Sequence, residues 1–218
     1  DDRWLRSHRV GRTAHRAVLE DHAYTLRGFL ELFMGTGDER WLAESESLAA
    51  AMLRDFGDEE TGLFWDTDGQ DPALRHRLKT PWDGATPAPN AVAIEGLLML
   101  HAFTGEERWR EPAVRSLLAL TELVERQPRS FSATLRLYAW AVQEPAVAVV
   151  VGTGSADSLA GWRRELAGRA YADALPVLLP AAPVGSERSL FAARPAVDGK
   201  PTLYLCVAQV CKLPRTLE

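Results

Sequence analysis

One segment of the sequence occurs twice. Thr36-Gly37-Asp38-Glu39-Arg40-Trp41 returns as Thr104-Gly105-Glu106-Glu107-Arg108-Trp109, an offset of 104 − 36 = 68. The register holds upstream, where Leu26 falls on Ile94, Gly28 on Gly96, Phe29 on Leu97, Leu30 on Leu98, Leu32 on Leu100 and His22 on Asn90. A period of this size is a supersecondary unit used twice, and it fixes the kind of architecture ahead of any single motif.

Each copy has the pattern of helix, tight turn, helix. In the first, Leu19, Ala23, Leu26, Leu30 and Phe33 keep the spacing of one helical face, and Phe29 and Leu32 widen the stripe. Gly35 and Gly37 supply the stop and turn, and Asp38 is placed to cap a return helix over Glu39 to Phe56. In the second copy Gly105 stops the helix, and Glu106-Glu107 set negative charge at the positive end of the next one. Trp41 and Trp109 fall one turn into the return helices and read as core residues. Ser130 to Glu144, with Phe131, Leu135, Tyr138 and Val142 at helical spacing, is the next helix.

Such hairpins bury both faces only against neighbours, so two and a half of them imply an array completed by further sequence, another chain or self-association. The expected fold is mainly α, with residues 1–145 forming helical hairpins of an α/α toroid whose connecting loops line a cavity at one end. The chain opens on Asp1-Asp2-Arg3-Trp4 without methionine, which reads as part of a longer or processed polypeptide.

Residues 146–218 are expected to form a small α/β tail. Ala146 to Gly152 is an apolar β-branched run, Asp157 to Tyr171 a helix and Leu175 to Leu179 a second strand, together a βαβ-like unit. Gly152-Thr153-Gly154-Ser155 follows a strand, but it lacks the third glycine and the distal acid of a dinucleotide fingerprint. Cys206 and Cys211 match no zinc or thioredoxin spacing and read as structural thiols.

The long connection from Gly57 to Pro89 carries the chemistry, since a loop of this length in a compact domain is functional or disordered, and its composition favours order. Gly62-Leu63-Phe64-Trp65 is predicted as a short strand and Asp68-Gly69 as a turn. Arg75, Arg77, Lys79, Trp82, Asp83 and Asn90 mix charge with aromatic surface, the combination that holds a sugar: indole against the apolar face of a pyranose, polar groups to its hydroxyls. A calcium loop counted from Asp66 fails, because Asp71 occupies the glycine position and Arg77 the position of the bidentate glutamate. His8, His15, His22, His76 and His101 have no metal-ligand spacing. Glu20-Asp21-His22 opens the first inner helix and Pro87 to Asn90 the second, so these positions are expected at one rim of the array, where carboxylates with shifted pKa serve as acid or base.

A formal charge of −5 argues against affinity for phosphate backbones or anionic lipid. No apolar run approaches the roughly 20 residues of a membrane helix. With two cysteines and no signal-like start, a cytoplasmic location is expected.

Leu19-Glu20-Asp21-His22-Ala23-Tyr24, Phe64-Trp65, and the stretch Arg77-Leu78-Lys79-Thr80-Pro81-Trp82-Asp83-Gly84-Ala85-Thr86-Pro87-Ala88-Pro89-Asn90-Ala91-Val92-Ala93 resemble the spermatogenesis-associated protein 20-like family of thioredoxin-domain-containing proteins. Cys206, Cys211 and Pro214 resemble its C-terminal cysteine and proline pattern. The resemblance implies an N-terminal thioredoxin-like domain, outside this sequence, followed by a toroid similar to N-acylglucosamine 2-epimerases and six-hairpin glycosidases. It implies no particular reaction. His22 stands where the family tends to have tyrosine, and Ala88-Pro89 replaces serine-glycine ahead of Asn90.

The functional expectation is a carbohydrate-binding or carbohydrate-active module, epimerase-like or hydrolase-like, needing no metal or cofactor. Asp21, His22 and Asp83 are the catalytic candidates; Glu20, Trp65, Arg77, Lys79, Trp82 and Asn90 are the binding candidates. The alternative is a non-catalytic module that docks onto a thioredoxin-like or toroid-completing partner.

Overall fold

The computed structural model describes residues 4–72, 74–152, 156–168, 173–180, 190 and 194–216. A hairpin of β1 (Leu5–Arg9) and β2 (Arg12–Arg16) precedes α1 (Leu19–Thr36) and α2 (Glu39–Phe56). The long connection leads to α3 (Pro89–Thr104) and α4 (Glu107–Arg126). A 3-10 turn over Pro128–Phe131 then enters α5 (Ser132–Val142), which is shorter than the predicted Ser130 to Glu144 because the proline-led turn closes i to i+3 before the helix begins. The chain is mainly helical, as expected.

The repeat is visible atom by atom. Gly37 and Gly105 take left-handed φ values of 67° and 74°, and their N–H groups donate to Phe33 O at 2.8 Å and His101 O at 2.7 Å. Such a cap favours glycine, whose missing Cβ removes the left-handed penalty. Thr36 Oγ1 donates to Leu32 O at 2.6 Å and Thr104 Oγ1 to Leu100 O at 2.8 Å, while Asp38 N and Glu106 N each donate to the preceding hydroxyl at 3.2 Å. Arg40 lies over the Trp41 ring and Arg108 over Trp109. The copies differ at the cap: Asp38 Oδ1 accepts from Arg40 N at 2.9 Å, whereas the Glu106 carboxylate pairs with Arg108. Trp109 is fully buried, but Trp41 remains half-exposed beside Phe29, because the first hairpin has a helical neighbour on one side only.

α1, α3 and α5 form an inner row, with α2 and α4 behind it. Flanked on both sides, α3 is buried at every residue from Asn90 to Phe103. Gly96 is where α1 comes closest: a Cβ there would stand 2.6 Å from Leu26 Cδ2.

The tail folds as β3 (Val147–Val151), α6 (Ala156–Leu166), β4 (Leu175–Leu179), β5 (Thr202–Val207), β6 (Val210–Cys211) and β7 (Arg215–Thr216). Strand order is β4-β3-β5-β6, with β7 also on β5; β3 and β4 are parallel, the other pairs antiparallel. The predicted strands are therefore present, while the helix ends at Leu166, short of Tyr171. Thr153-Gly154-Ser155 and residues 169–172 lie outside the described residues. One sheet face, through Val149, Val177 and Tyr204, joins the helical core; the other, through Ala148 and Val150, is covered by Trp162 and Leu166 of α6.

Two expectations need correction. Gly62 to Trp65 is not a strand; only an isolated bridge joins Phe64 to Gly57. Cys206 and Cys211 are not free thiols but a disulfide. Ala208 and Gln209 both adopt positive φ, 47° and 64°, forming a two-residue turn that sets the cysteines opposite each other in β5 and β6. Alanine and glutamine gave no hairpin signal at that turn, so the pairing was invisible in the spacing alone.

Candidate functional site

The connection from 57 to 88 is ordered by its own polar groups. Asn90 sits just inside α3 with its amide fully buried: Oδ1 accepts from Phe64 N at 2.9 Å and Nδ2 donates to Phe64 O at 3.1 Å. This places it inside the loop's anchor, not on an open rim. Asp66 accepts from both Thr80 N and Thr80 Oγ1, at 3.0 and 2.7 Å, and its backbone carbonyl accepts from Leu19 N at 3.0 Å. Arg77 donates to Thr67 O and Asp55 O. Lys79 donates to Asp58 and Thr61, with its ammonium 3.9 Å from the Trp65 ring centre and the Arg77 guanidinium 5.0 Å from it. The Trp65 ring thus already carries two of the chain's own cations, at the surface a pyranose would need.

The hydrogen bond from Lys79 is the first cause that holds the Asp58 carboxyl down to about 2; burial opposes it, and the Thr61 hydroxyl and Glu60 N–H add to it. The folded-state value lies below the ordinary one of about 4. The stabilisation is therefore complete above about pH 4 and is lost as pH falls toward 2. Lys79→Met, which keeps the aliphatic stem, is expected to flatten this acid limb in urea midpoints measured from pH 5 to 2. Parallel limbs in parent and variant would reject the assignment.

The candidates at the helix starts are also engaged. Asp21 Oδ2 accepts from Val18 N at 2.9 Å, closing the first turn of α1, and lies 3.4 Å from Arg6 Nε. Glu20 is 3.8 Å from the same guanidinium and half-exposed. His22 Nδ1–H donates to Val18 O at 3.0 Å, and its buried ring lies between Trp4 and Phe56. Asp83 accepts from Ala88 N, Ala133 N and Ser132 Oγ, each at 2.9 Å, and so ties the N-terminal ends of α3 and α5 together.

These residues do not share one pocket. His22 lines a cleft of about 290 Å³ with Trp4, Arg16, Asp55 and Asp68. Glu20 and Trp82 line a second, of about 360 Å³, with Asp66, Thr80, Thr86 and Pro87. Asp83 lines a third, of about 420 Å³, with Arg27, Glu95, Ser132 and Arg136. Gly84, Thr86 and Pro87 border both the second and third, which are therefore adjoining. The Trp82 side chain is 53% exposed beside them.

Glu95 is the residue the sequence reading missed. It is buried in the middle of α3, where Arg27 of α1 donates to one carboxylate oxygen and Arg136 of α5 to the other. Arg27 and Glu95 are the same position in successive repeats, 68 apart, so the three inner helices are pinned at one level. A single acid inside the otherwise apolar run Ala91 to Leu100 was the available signal. The cluster also borders a larger cleft of about 650 Å³ that reaches Trp140 and the sheet.

No family model matches the chain. Over 91% of its length it is 28% identical to spermatogenesis-associated protein 20 of Homo sapiens and 26% identical to that of Mus musculus. Half of the chain is 35% identical to the protein of the same name from Rattus norvegicus. The chain is thus homologous to spermatogenesis-associated protein 20. It covers 26%, 26% and 14% of the three relatives' lengths, about a quarter of the first two. No helix among the described residues is long and apolar enough to cross a membrane.

Proposed function

We propose that this chain contributes part of a sugar-binding surface to an α/α toroid, with the adjoining clefts around Trp82 and Asp83 as the binding region. The thioredoxin-like domain and the remaining hairpins belong, on this reading, to the longer polypeptides of its homologues. The observation that carries the proposal is the half-exposed Trp82 indole beside Glu20, Thr80 and Thr86 at the starts of the inner helices, next to the polar group Asp83, Arg27, Glu95 and Arg136. An open aromatic face beside carboxylates and hydroxyls, with guanidinium donors in the adjoining cleft, is the chemistry a pyranose needs. The reading is one of binding, because Asp21, His22 and Asp83 already hold backbone groups.

Titration with N-acetylglucosamine, glucose and maltose, followed by amide and indole chemical shifts, is expected to perturb Trp82 and residues 80–87. The response should vanish in Trp82→Ala, whose exposed ring is outside the core. Shifts absent for every sugar, or unchanged in the variant, would reject the site.

A further inference from the structure

We infer that one face of α1, formed by Thr25, Gly28, Leu32 and Gly35, is a docking surface for the inner helix of another hairpin of this same repeat type, one that presents leucines at i and i+4. The four residues fall on one helical face. Their counterparts 68 positions later are Ala93, Gly96, Leu100 and Phe103, and in α3 all four are buried. What buries that face of α3 is α1: Leu26 lies so close to Gly96 that no Cβ fits, Leu30 follows one turn on, and Phe33 meets Phe103 edge to face at 5.2 Å between centroids. On α1, Gly28 and Leu32 are exposed and Thr25 and Gly35 half-buried. Apart from the adjoining residues and the helix's own backbone, no atom comes within 4 Å of a Cβ placed at Gly28 or Gly35, and Leu32 is 42% exposed.

The partner's chemistry follows from the equivalence. A small residue at 28 leaves the backbone approachable, and its counterpart at 96 uses that access to seat a leucine; a branched side chain in the same register fits α1 in the same way. Next to this face, Glu31, Met34 and Gly35 border a groove of about 300 Å³ whose other wall is Arg163 and Leu166 of α6, the following Ala167, and Pro176 and Leu178, so the sheet side bounds one end of the surface. The homologues are about four times as long as the stretch matched here, so chain for another hairpin exists in them. This inference rests on the toroid part of the reading proposed above and not on sugar binding, so sugar titration does not test it.

The test is a chain lengthened by one repeat, in which residues 1–84 are followed by residues 17–218. The added α1–α2 pair then stands to the second α1 as α1 stands to α3. One cooperative urea transition is expected, with a higher midpoint and a steeper denaturant dependence than the parent. Gly28→Leu in the receiving helix should abolish the gain, while in the parent chain it leaves the midpoint unchanged or slightly raised, since the site is open and leucine favours helix. Leu32→Asp in the receiving helix is the second variant and should also remove the gain. A separate early transition for the added repeat, or a gain that survives Gly28→Leu, overturns the inference. So does concentration-dependent association of the parent that Gly28→Leu removes, which would give the face to a second copy instead.

Discussion

Replacing Arg27 and Arg136 together by alanine is expected to cost about 3–5 kcal/mol of unfolding free energy, the range for stranding a buried charge without its partners. The carboxylate of Glu95 stays in α3, buried, and each of its oxygens loses its donor. Removing the acid is a different experiment. Glu95→Met fills similar volume in a stretch of α3, Ala91 to Leu100, that is otherwise apolar, and Arg27 and Arg136, both partly exposed, return to water, Arg27 keeping Glu31 as a partner. That variant is expected within about 1 kcal/mol of the parent, because replacing a buried ion cluster by apolar groups is often neutral. The triple variant should recover most of the loss, a coupling that a double-mutant cycle reads directly. Urea unfolding followed by circular dichroism at neutral pH measures all three. A double-arginine variant as stable as the parent would mean that water reaches Glu95 and that the three inner helices are held at this level by packing alone.

The helical part of the fold was legible because its signals are local and doubled. Asp38, Gly37 and Gly105 mark helix ends through backbone requirements that hold whatever packs nearby, and the second copy confirmed the reading of the first. The β1–β2 hairpin was not legible. Its strands are almost wholly exposed, so they lack the alternation that burial imposes, and its turn places Val10 at a positive φ of 47° that a β-branched residue rarely adopts. The disulfide was hidden behind an equally atypical turn at Ala208 and Gln209. Among the site residues, the expectation was one rim holding Glu20, Asp21, His22 and Asn90 with Trp82 and Asp83 in the loop beside it; Glu20, Trp82 and Asp83 line two adjoining clefts, whereas His22 lines a separate one and Asn90 anchors the loop. Sequence could not place Glu95, because the meaning of that acid depends on two arginines 68 and 41 positions away that only the helix row brings to one level.

Asn90 shows how a residue that looks like a ligand-binding amide serves the backbone instead, and its replacement separates the two roles. Both hydrogen bonds of its side chain go to Phe64, whose ring is buried in the core. In Asn90→Ala the Phe64 N–H and C=O are left in a dry environment, and each unsatisfied group costs about 1–3 kcal/mol, so a loss of about 2–6 kcal/mol is expected in urea unfolding. Asn90→Asp tests the geometry at constant volume: the acceptor for Phe64 N–H survives, but a carboxylate oxygen now faces Phe64 O, and the cost should be comparable. The damage should spread along the loop, because Trp65 follows Phe64 directly and carries the Lys79 and Arg77 cations. The Asp58 acid limb, which depends on the position of Lys79, is therefore expected to shrink in the same variant. If Asn90→Ala instead leaves stability and the acid limb intact and weakens only the response to sugar, the amide belongs to the ligand and not to the loop.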